Sequence, residues 1–210
     1  MKHRSTAAIF GEWQRLAFSR NGAFNPPARE SVEPRRLGRH LSDLFFLEAD
    51  EAGQLVFRLA GTRICTLFGR ELKATRLLSL WPERDRPALA ELARNVGGLQ
   101  VPALSRHEGI SLSGKSLAFE MLLAPLAADG AATSLIGSIA VLDHVPWLGA
   151  DPLVLGHLGA IEPLAPDLVL ERRTRKTSAV TVNASHDGEW TAPPRQRPAP
   201  KLRVIDGGKA

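Results

Sequence analysis

The stretch from Leu55 to Leu72 limits what this chain can fold into more than any other. Leu55 to Ala60 is an apolar run of strand length, and Gly61 breaks it. Arg63 to Phe68 leaves room for about one and a half helical turns. Gly69 follows, a residue suited to the left-handed backbone that ends a helix. Arg70, Glu71 and Leu72 then open another connection.

The elements around this stretch can be read from periodicity and punctuation. Ile9, Trp13, Leu16 and Ala17 follow the i, i+4, i+7, i+8 spacing of an amphipathic helix, with Ser5 or Thr6 as its cap and Asn21-Gly22 as its stop. Asn25-Pro26-Pro27 marks a linker, and Pro34 suits the first turn of a short helix through Leu37 and Leu41. Leu44 to Ala49 and Gln54 to Ala60 pair as a hairpin across Asp50-Glu51-Ala52-Gly53. Leu77, Leu78, Leu80 and Trp81 lead into a longer helix. Asp85 caps it, Pro87 sits in its first turn, Leu89, Leu92, Ala93 and Val96 share one face, and Gly97-Gly98 stops it. Three strands follow, at Leu99 to Leu112, Ser116 to Leu126 and Ser134 to Asp143. Strands joined by hairpins around a helical middle favour an antiparallel α+β domain over an alternating parallel sheet.

This order, together with Trp13 in an early helix, Leu44-Phe45-Phe46-Leu47-Glu48, Phe57-Arg58-Leu59-Ala60-Gly61-Thr62 and Leu67-Phe68-Gly69-Arg70-Glu71-Leu72, resembles the PAS domain. The resemblance covers residues 5 to about 148 and is to stand-alone bacterial PAS-like regulatory proteins of the alphaproteobacterial type. It implies a five-stranded antiparallel sheet with short helices on one face and a cavity between them. It also implies sensing or protein interaction in place of catalysis. The expected organisation is an N-terminal helical segment over 1–43, the PAS-like domain over 44–148, and a Pro- and Arg-rich, mostly disordered tail over 149–210.

A cavity in such a fold would be lined by Phe46, Phe57, Leu59, Phe119, Met121, Ile139 and Val141, with Trp81 from the helical side. Arg58, Arg106 and His107 are the polar candidates for orienting a ligand. The cofactor stays unknown. Flavin photoreceptors of this family carry a reactive cysteine in an Asn-Cys-Arg-Phe type of segment, whereas Cys65 sits in Ile-Cys-Thr and reads as a small apolar residue. Haem-binding members use a histidine on the long helix, and Asp85 to Val96 has none. Metal is disfavoured because the histidines are scattered without i, i+4 pairs.

One rival reading is enzymatic. Gly109-Ile-Ser-Leu-Ser-Gly114-Lys115-Ser116 matches the G-x-x-x-x-G-K-[ST] phosphate-binding loop, with Asp143 as a magnesium-side acid. Its surroundings disagree: Ser105, Arg106, His107 and Glu108 are not the buried apolar strand such a loop follows. Ile110 and Leu112 alternate with serines as a strand does, and Pro125 leaves a following helix short.

Charge is local. From Glu171 onward there are nine Lys or Arg and four Asp or Glu, a surplus of five that equals the net charge of +5 of the whole chain. The rest of the chain is neutral, so a nucleic-acid-binding face on the folded part is not expected. Arg172-Arg173-Thr174-Arg175-Lys176 could attract an anionic membrane surface, and Leu202 to Ile205 is a small apolar patch in the tail. One cysteine fits a reducing compartment, and no apolar run reaches the roughly 18 residues of a membrane span. A cytoplasmic location is expected.

The reading is a non-catalytic PAS-type module that acts through signalling partners or as a homodimer, with a small ligand as gate. Ile9, Trp13 and Leu16 are the expected contact surface, because a helix outside the sheet must bury its stripe somewhere. Trp13→Asp is then expected to abolish self-association and leave the fold intact.

Overall fold

The structure is a computed structural model that describes residues 1–18, 24–127 and 133–164. Helix α1 (Arg4–Ala17) is followed by a short 3₁₀ turn, α2 (Pro34–Leu37) and a 3₁₀ segment (Gly38–Asp43). Strands β1 (Leu44–Ala49) and β2 (Leu55–Ala60) form a hairpin, followed by α3 (Thr62–Leu67), a 3₁₀ turn (Leu77–Leu80) and α4 (Arg86–Leu99). Strands β3 (Ala103–Ser111), β4 (Ser116–Pro125), β5 (Ser134–Val141) and β6 (Leu153–Pro163) complete the described chain.

The strands form one antiparallel sheet in the order β2-β1-β5-β4-β3-β6. Five of them match the expected strands to within a few residues. The sixth, β6, comes from residues expected to be tail. Pro152 and Pro163 look like breakers in sequence, yet one precedes the strand and the other ends it, where a missing N–H costs little. Residues 165–210, with Arg172 to Lys176 and Leu202 to Ile205, lie outside the described residues, as does Asn21-Gly22.

Helices cover both faces of the sheet, where one covered face was expected. On the inner face, Phe45, Leu47, Phe57, Phe119, Met121, Leu123 and Ile139 pack against α3, the 3₁₀ turn and α4. On the outer face, Leu44, Phe46, Leu104, Leu122, Ala124 and Ile136 pack against Ile9, Phe10, Trp13 and Ala17 of α1. A strand covered on both sides is apolar at successive positions, as Leu44-Phe45-Phe46-Leu47 is, and each fully buried side chain of that size contributes about 1.5–3 kcal/mol.

Helix α1 is therefore part of the core. Ile9 and Trp13 are each 1% exposed, and Leu16 is half-buried at the edge. The indole Nε1 of Trp13 donates to the carbonyl of Pro125 at 2.7 Å, and its ring stacks on Phe10 with centroids 5.8 Å apart. The stripe expected to seek a partner has found the outer face of its own sheet, so Ile9 and Trp13 are corrected from contact surface to core.

The start of α1 is fixed by buried polar groups. The carboxylate of Glu120, on β4 and fully buried, accepts the backbone N–H groups of Lys2 and His3, both at 2.9 Å. A carboxylate here meets the unpaired amides and the positive end of the helix together. Asp43, also buried, accepts the Ser5 hydroxyl at 2.6 Å and pairs with Arg63 at 2.8 Å. The helix cap is His3, whose Nδ1 accepts from the Ser5 amide at 3.2 Å, and not Ser5 or Thr6.

Helix α4 begins after Asp85 as expected, but that side chain makes no cap bond. Its carboxylate accepts the Leu158 amide of β6 at 3.0 Å, tying the added strand to the helix. The helix runs past Gly97-Gly98 to end at Gln100, which takes the left-handed conformation (φ 56°).

Candidate functional site

Six of the expected cavity residues meet on the inner face. Phe57, Trp81, Phe119, Met121 and Ile139 belong to one buried cluster, and His107 is inserted beside Trp81 and Phe119. The imidazole of His107 stacks on Phe119 with centroids 4.8 Å apart and planes 12° from parallel. Cross-strand pairing of the two residues in β3 and β4 produces this stack.

The two ring nitrogens of His107 are engaged differently. Trp81 Nε1, which can only donate, lies 3.1 Å from His107 Nδ1, so Nδ1 is the acceptor. The proton then sits on Nε2, which donates to Ser105 Oγ at 2.7 Å, and Ser105 donates onward to the Met121 carbonyl at 3.3 Å. The chain Trp81–His107–Ser105–Met121 is satisfied throughout only with neutral imidazole. Burial pushes the His107 pKa down to about 4, and the more distant Asp85 carboxylate opposes this without reversing it.

Strand β6 closes the site from the side. A Cβ on Gly156 would lie 2.9 Å from Trp81 Nε1 and 3.1 Å from Phe119, so the indole packs directly on the backbone of the added strand. The sequence contains the signal, a glycine amid apolar residues, but it lies in the segment that composition assigns to the tail.

Phe46 and Arg58 are not part of this assembly. An irregularity in the β1–β2 pairing sets Phe46 opposite Leu59 and Leu47 opposite Phe57, leaving Arg58 as the extra residue. Phe46 and Leu59 thus share the outer face, where the Arg29 guanidinium sits 4.9 Å from the Phe46 ring. Arg58 is exposed and pairs with Glu48 at 2.7 Å. Arg106 is exposed too, 3.9 Å from Glu162, while Val141 is partly buried against the inner core. Cys65 is half-buried with its Sγ 3.8 Å from the Ala60 carbonyl.

A groove of about 360 Å³ opens beside the inner core, at the end of the sheet that carries the β1–β2 turn. Leu55, Leu77 and Leu78 form one wall, and Pro87, Ala90, Ala93 and Arg94 of α4 form the other. Arg94 did not stand out in sequence because it flanks the apolar stripe of α4 and reads as solvated. What marks it is spacing: Pro87, Ala90 and Arg94 fall three and four residues apart, on one helix face.

The Gly109–Ser116 segment is a β-hairpin. Gly109 lies in β3, Gly114 takes φ 82° in the turn, and Ser116 begins β4, a strand where a phosphate loop needs a helix. Its donors are already used. Ser113 N–H donates to Asp151 at 3.1 Å, Gly114 N–H to the Ser111 carbonyl at 2.9 Å, and Lys115 N–H to Ser111 Oγ at 3.0 Å. The Lys115 ammonium is 3.5 Å from Asp151, whose carboxyl is held below the usual range by its hydrogen bond from the Ser113 hydroxyl. Asp143 accepts the Ala118 amide at 2.6 Å. The phosphate-loop alternative is overturned on these grounds. Lys115→Ala is expected to cost under about 1 kcal/mol, as exposed ion pairs do, and to leave calorimetric titrations with Mg-ATP unchanged. A heat of binding that disappears in the variant would restore the phosphate loop.

A family profile described as PAS domain matches residues 1–140. Among solved structures, the chain is similar to one titled the structure of an RNA-binding light-oxygen-voltage receptor, at 12% identity and a TM-score of 0.35. That similarity covers 66% of this chain and 36% of the receptor, so the chain spans little more than a third of the receptor's length. No curated protein matches the chain. No helix among the described residues is long and apolar enough to cross a membrane.

Proposed function

The chain belongs to the PAS domain family, and from that premise we propose that it is a non-catalytic sensory or regulatory module whose output passes through contact with another protein. The observation that carries this reading is where the acidic groups are spent. Glu120 and Asp43 hold the start of α1 on the outer face, Asp85 ties β6 to α4, and Asp151 holds the β3–β4 turn. Groups that could do acid–base chemistry are engaged in holding elements together, which suits a protein that changes packing more than one that turns over substrate.

Signalling by such a module is a shift between two packings that a ligand or partner biases. The sheet is the shared wall: the inner core with Trp81 and His107 lies on one side, α1 on the other, and β4 carries both Phe119 inward and Glu120 outward. A change in how the inner face packs reaches α1 through adjacent residues of one strand. A small ligand is the natural gate, and the groove between α4 and the Leu77–Leu80 turn is its candidate site.

Affinity purification of the full-length protein from its native host tests the reading. A second protein is expected in near-stoichiometric amount, with no turnover of Mg-ATP or Mg-GTP. Recovery of the chain alone would overturn the contact, and turnover would overturn the non-catalytic assignment.

A further inference from the structure

The groove beside the inner core has a chemistry of its own. Its walls are mostly apolar, from Leu55, Leu77 and Leu78 on one side and Ala90 and Ala93 on the other. Small side chains on α4 keep it open, since a larger residue at Ala90 would reach across toward the leucines. Its one charged lining residue is Arg94. The Arg94 guanidinium makes no hydrogen bond or ion pair among the described residues, so its planar set of donors faces the groove mouth uncommitted. The volume of about 360 Å³ lies at the small end of the range for ligand sites.

We propose that this groove binds a small organic carboxylate with an apolar body, the carboxylate on Arg94 and the body between the leucines and the alanines of α4. A guanidinium matches the two oxygens of a carboxylate with two parallel N–H bonds. A phosphate ester or dianion would bring more charge than one arginine can balance, and a cation would meet Arg94 alone. Gln54 and Thr133 are the other polar side chains of the lining. The site deepens the regulatory reading above by naming the class of ligand that would bias the packing. Leu55 and Leu77 touch both the groove and the inner core, so a bound apolar body presses on the same cluster as Trp81.

Calorimetric titration of the full-length protein with straight-chain carboxylates from butanoate to decanoate provides the test, with the matching alcohols and alkylammonium ions as controls. Saturable binding of at least one carboxylate is expected, at least about tenfold tighter than its alcohol. Arg94→Gln should weaken it by at least about tenfold, Arg94→Lys should restore part of the loss, and Ala90→Phe should abolish it. Thermal melting of each variant establishes that it is folded; Arg94 is exposed, so its substitutions do not depend on the outcome at Ala90. No binding across the series, equal affinity for the alcohol, or binding indifferent to Arg94→Gln would overturn the proposal. A partner recovered from the host alongside any of these would leave the regulatory reading standing and remove only the groove.

Discussion

Trp13→Ala is expected to destabilise the protein by about 3–5 kcal/mol, the range for removing a large aromatic side chain from a core. The indole is 1% exposed, stacks on Phe10, and has its ring centroid 5.8 Å from that of Phe24. It also supplies the hydrogen bond to the Pro125 carbonyl, at the end of β4. Truncation leaves a cavity and an unmatched buried carbonyl together, and the second adds to the cost of the first. Domains of this size are held by about 5–15 kcal/mol in all, so the variant should lose a large share of its stability. Urea denaturation followed by circular dichroism measures it, with a lowered midpoint at an unchanged slope as the expected result. A role for Trp13 in a dimer surface predicts the reverse: Trp13→Asp would dissolve an oligomer and leave a monomer of unaltered stability. A folded, wild-type-stable Trp13→Asp protein would show that α1 does not belong to the core.

That reversal shows which parts of the fold were legible in the residues and which were not. The 3.6-residue spacing of Ile9, Trp13 and Ala17 identifies a helix and its apolar stripe, but spacing says nothing about what covers the stripe. The answer lay in the strands. Leu44-Phe45-Phe46-Leu47 and Met121-Leu122-Leu123-Ala124 are apolar on both parities, which requires a cover on each face of the sheet. Treating Phe46 as an inner-face residue missed this, and the irregular pairing around Arg58 then changed the face of Leu59 as well. A one-residue bulge leaves no mark in hydrophobic pattern. Strand β6 was hidden differently: its residues past Leu155 are half or fully exposed, apart from Gly156, so little apolar alternation survives at a sheet edge.

The site followed the same logic. His107, Phe119, Met121 and Ile139 face inward because period-two alternation in β3, β4 and β5 fixes their side, and Phe57 of β2 and Trp81 after the Leu77–Leu80 turn join them there. Alternation also pairs Ser105 with His107 on one face, two residues apart, which makes the hydroxyl a ready acceptor for the ring. What sequence does not reveal is that the histidine is consumed inside the core by Trp81 and Ser105. The distance between β3 and the end of the Leu77–Leu80 turn is set by packing alone. Arg94 escaped for the converse reason: its lack of a partner among the described residues is a property of three-dimensional surroundings.

The largest pH effect should come from His107. In the folded protein its pKa is pushed from 6.5 down to about 4, burial being the main cause. Unfolded, it titrates near its ordinary value. Between these two pH values the unfolded chain therefore binds a proton that the folded one refuses, and stability falls as pH drops. The loss begins near pH 6.5, is complete near pH 4, and amounts to about 3 kcal/mol in full. Burial against Trp81 and Phe119 disfavours the charged ring, while the Asp85 carboxylate and a backbone hydrogen bond at His157 favour the proton without reversing the shift. Protonation would also turn Nδ1 from acceptor to donor and set it against the Trp81 N–H, so the cost falls on the contact that joins β3 to the helical side. His107→Gln retains a carbonyl for Trp81 and does not titrate. It should be less stable than wild type at pH 7, yet lose about 2 kcal/mol less between pH 7 and pH 4.5. The difference between the two pH dependences isolates His107, because every other ionisable group is common to both proteins. Identical losses in wild type and variant would mean that the imidazole accepts its proton within the fold, and that the Trp81–His107–Ser105 chain does not hold it neutral.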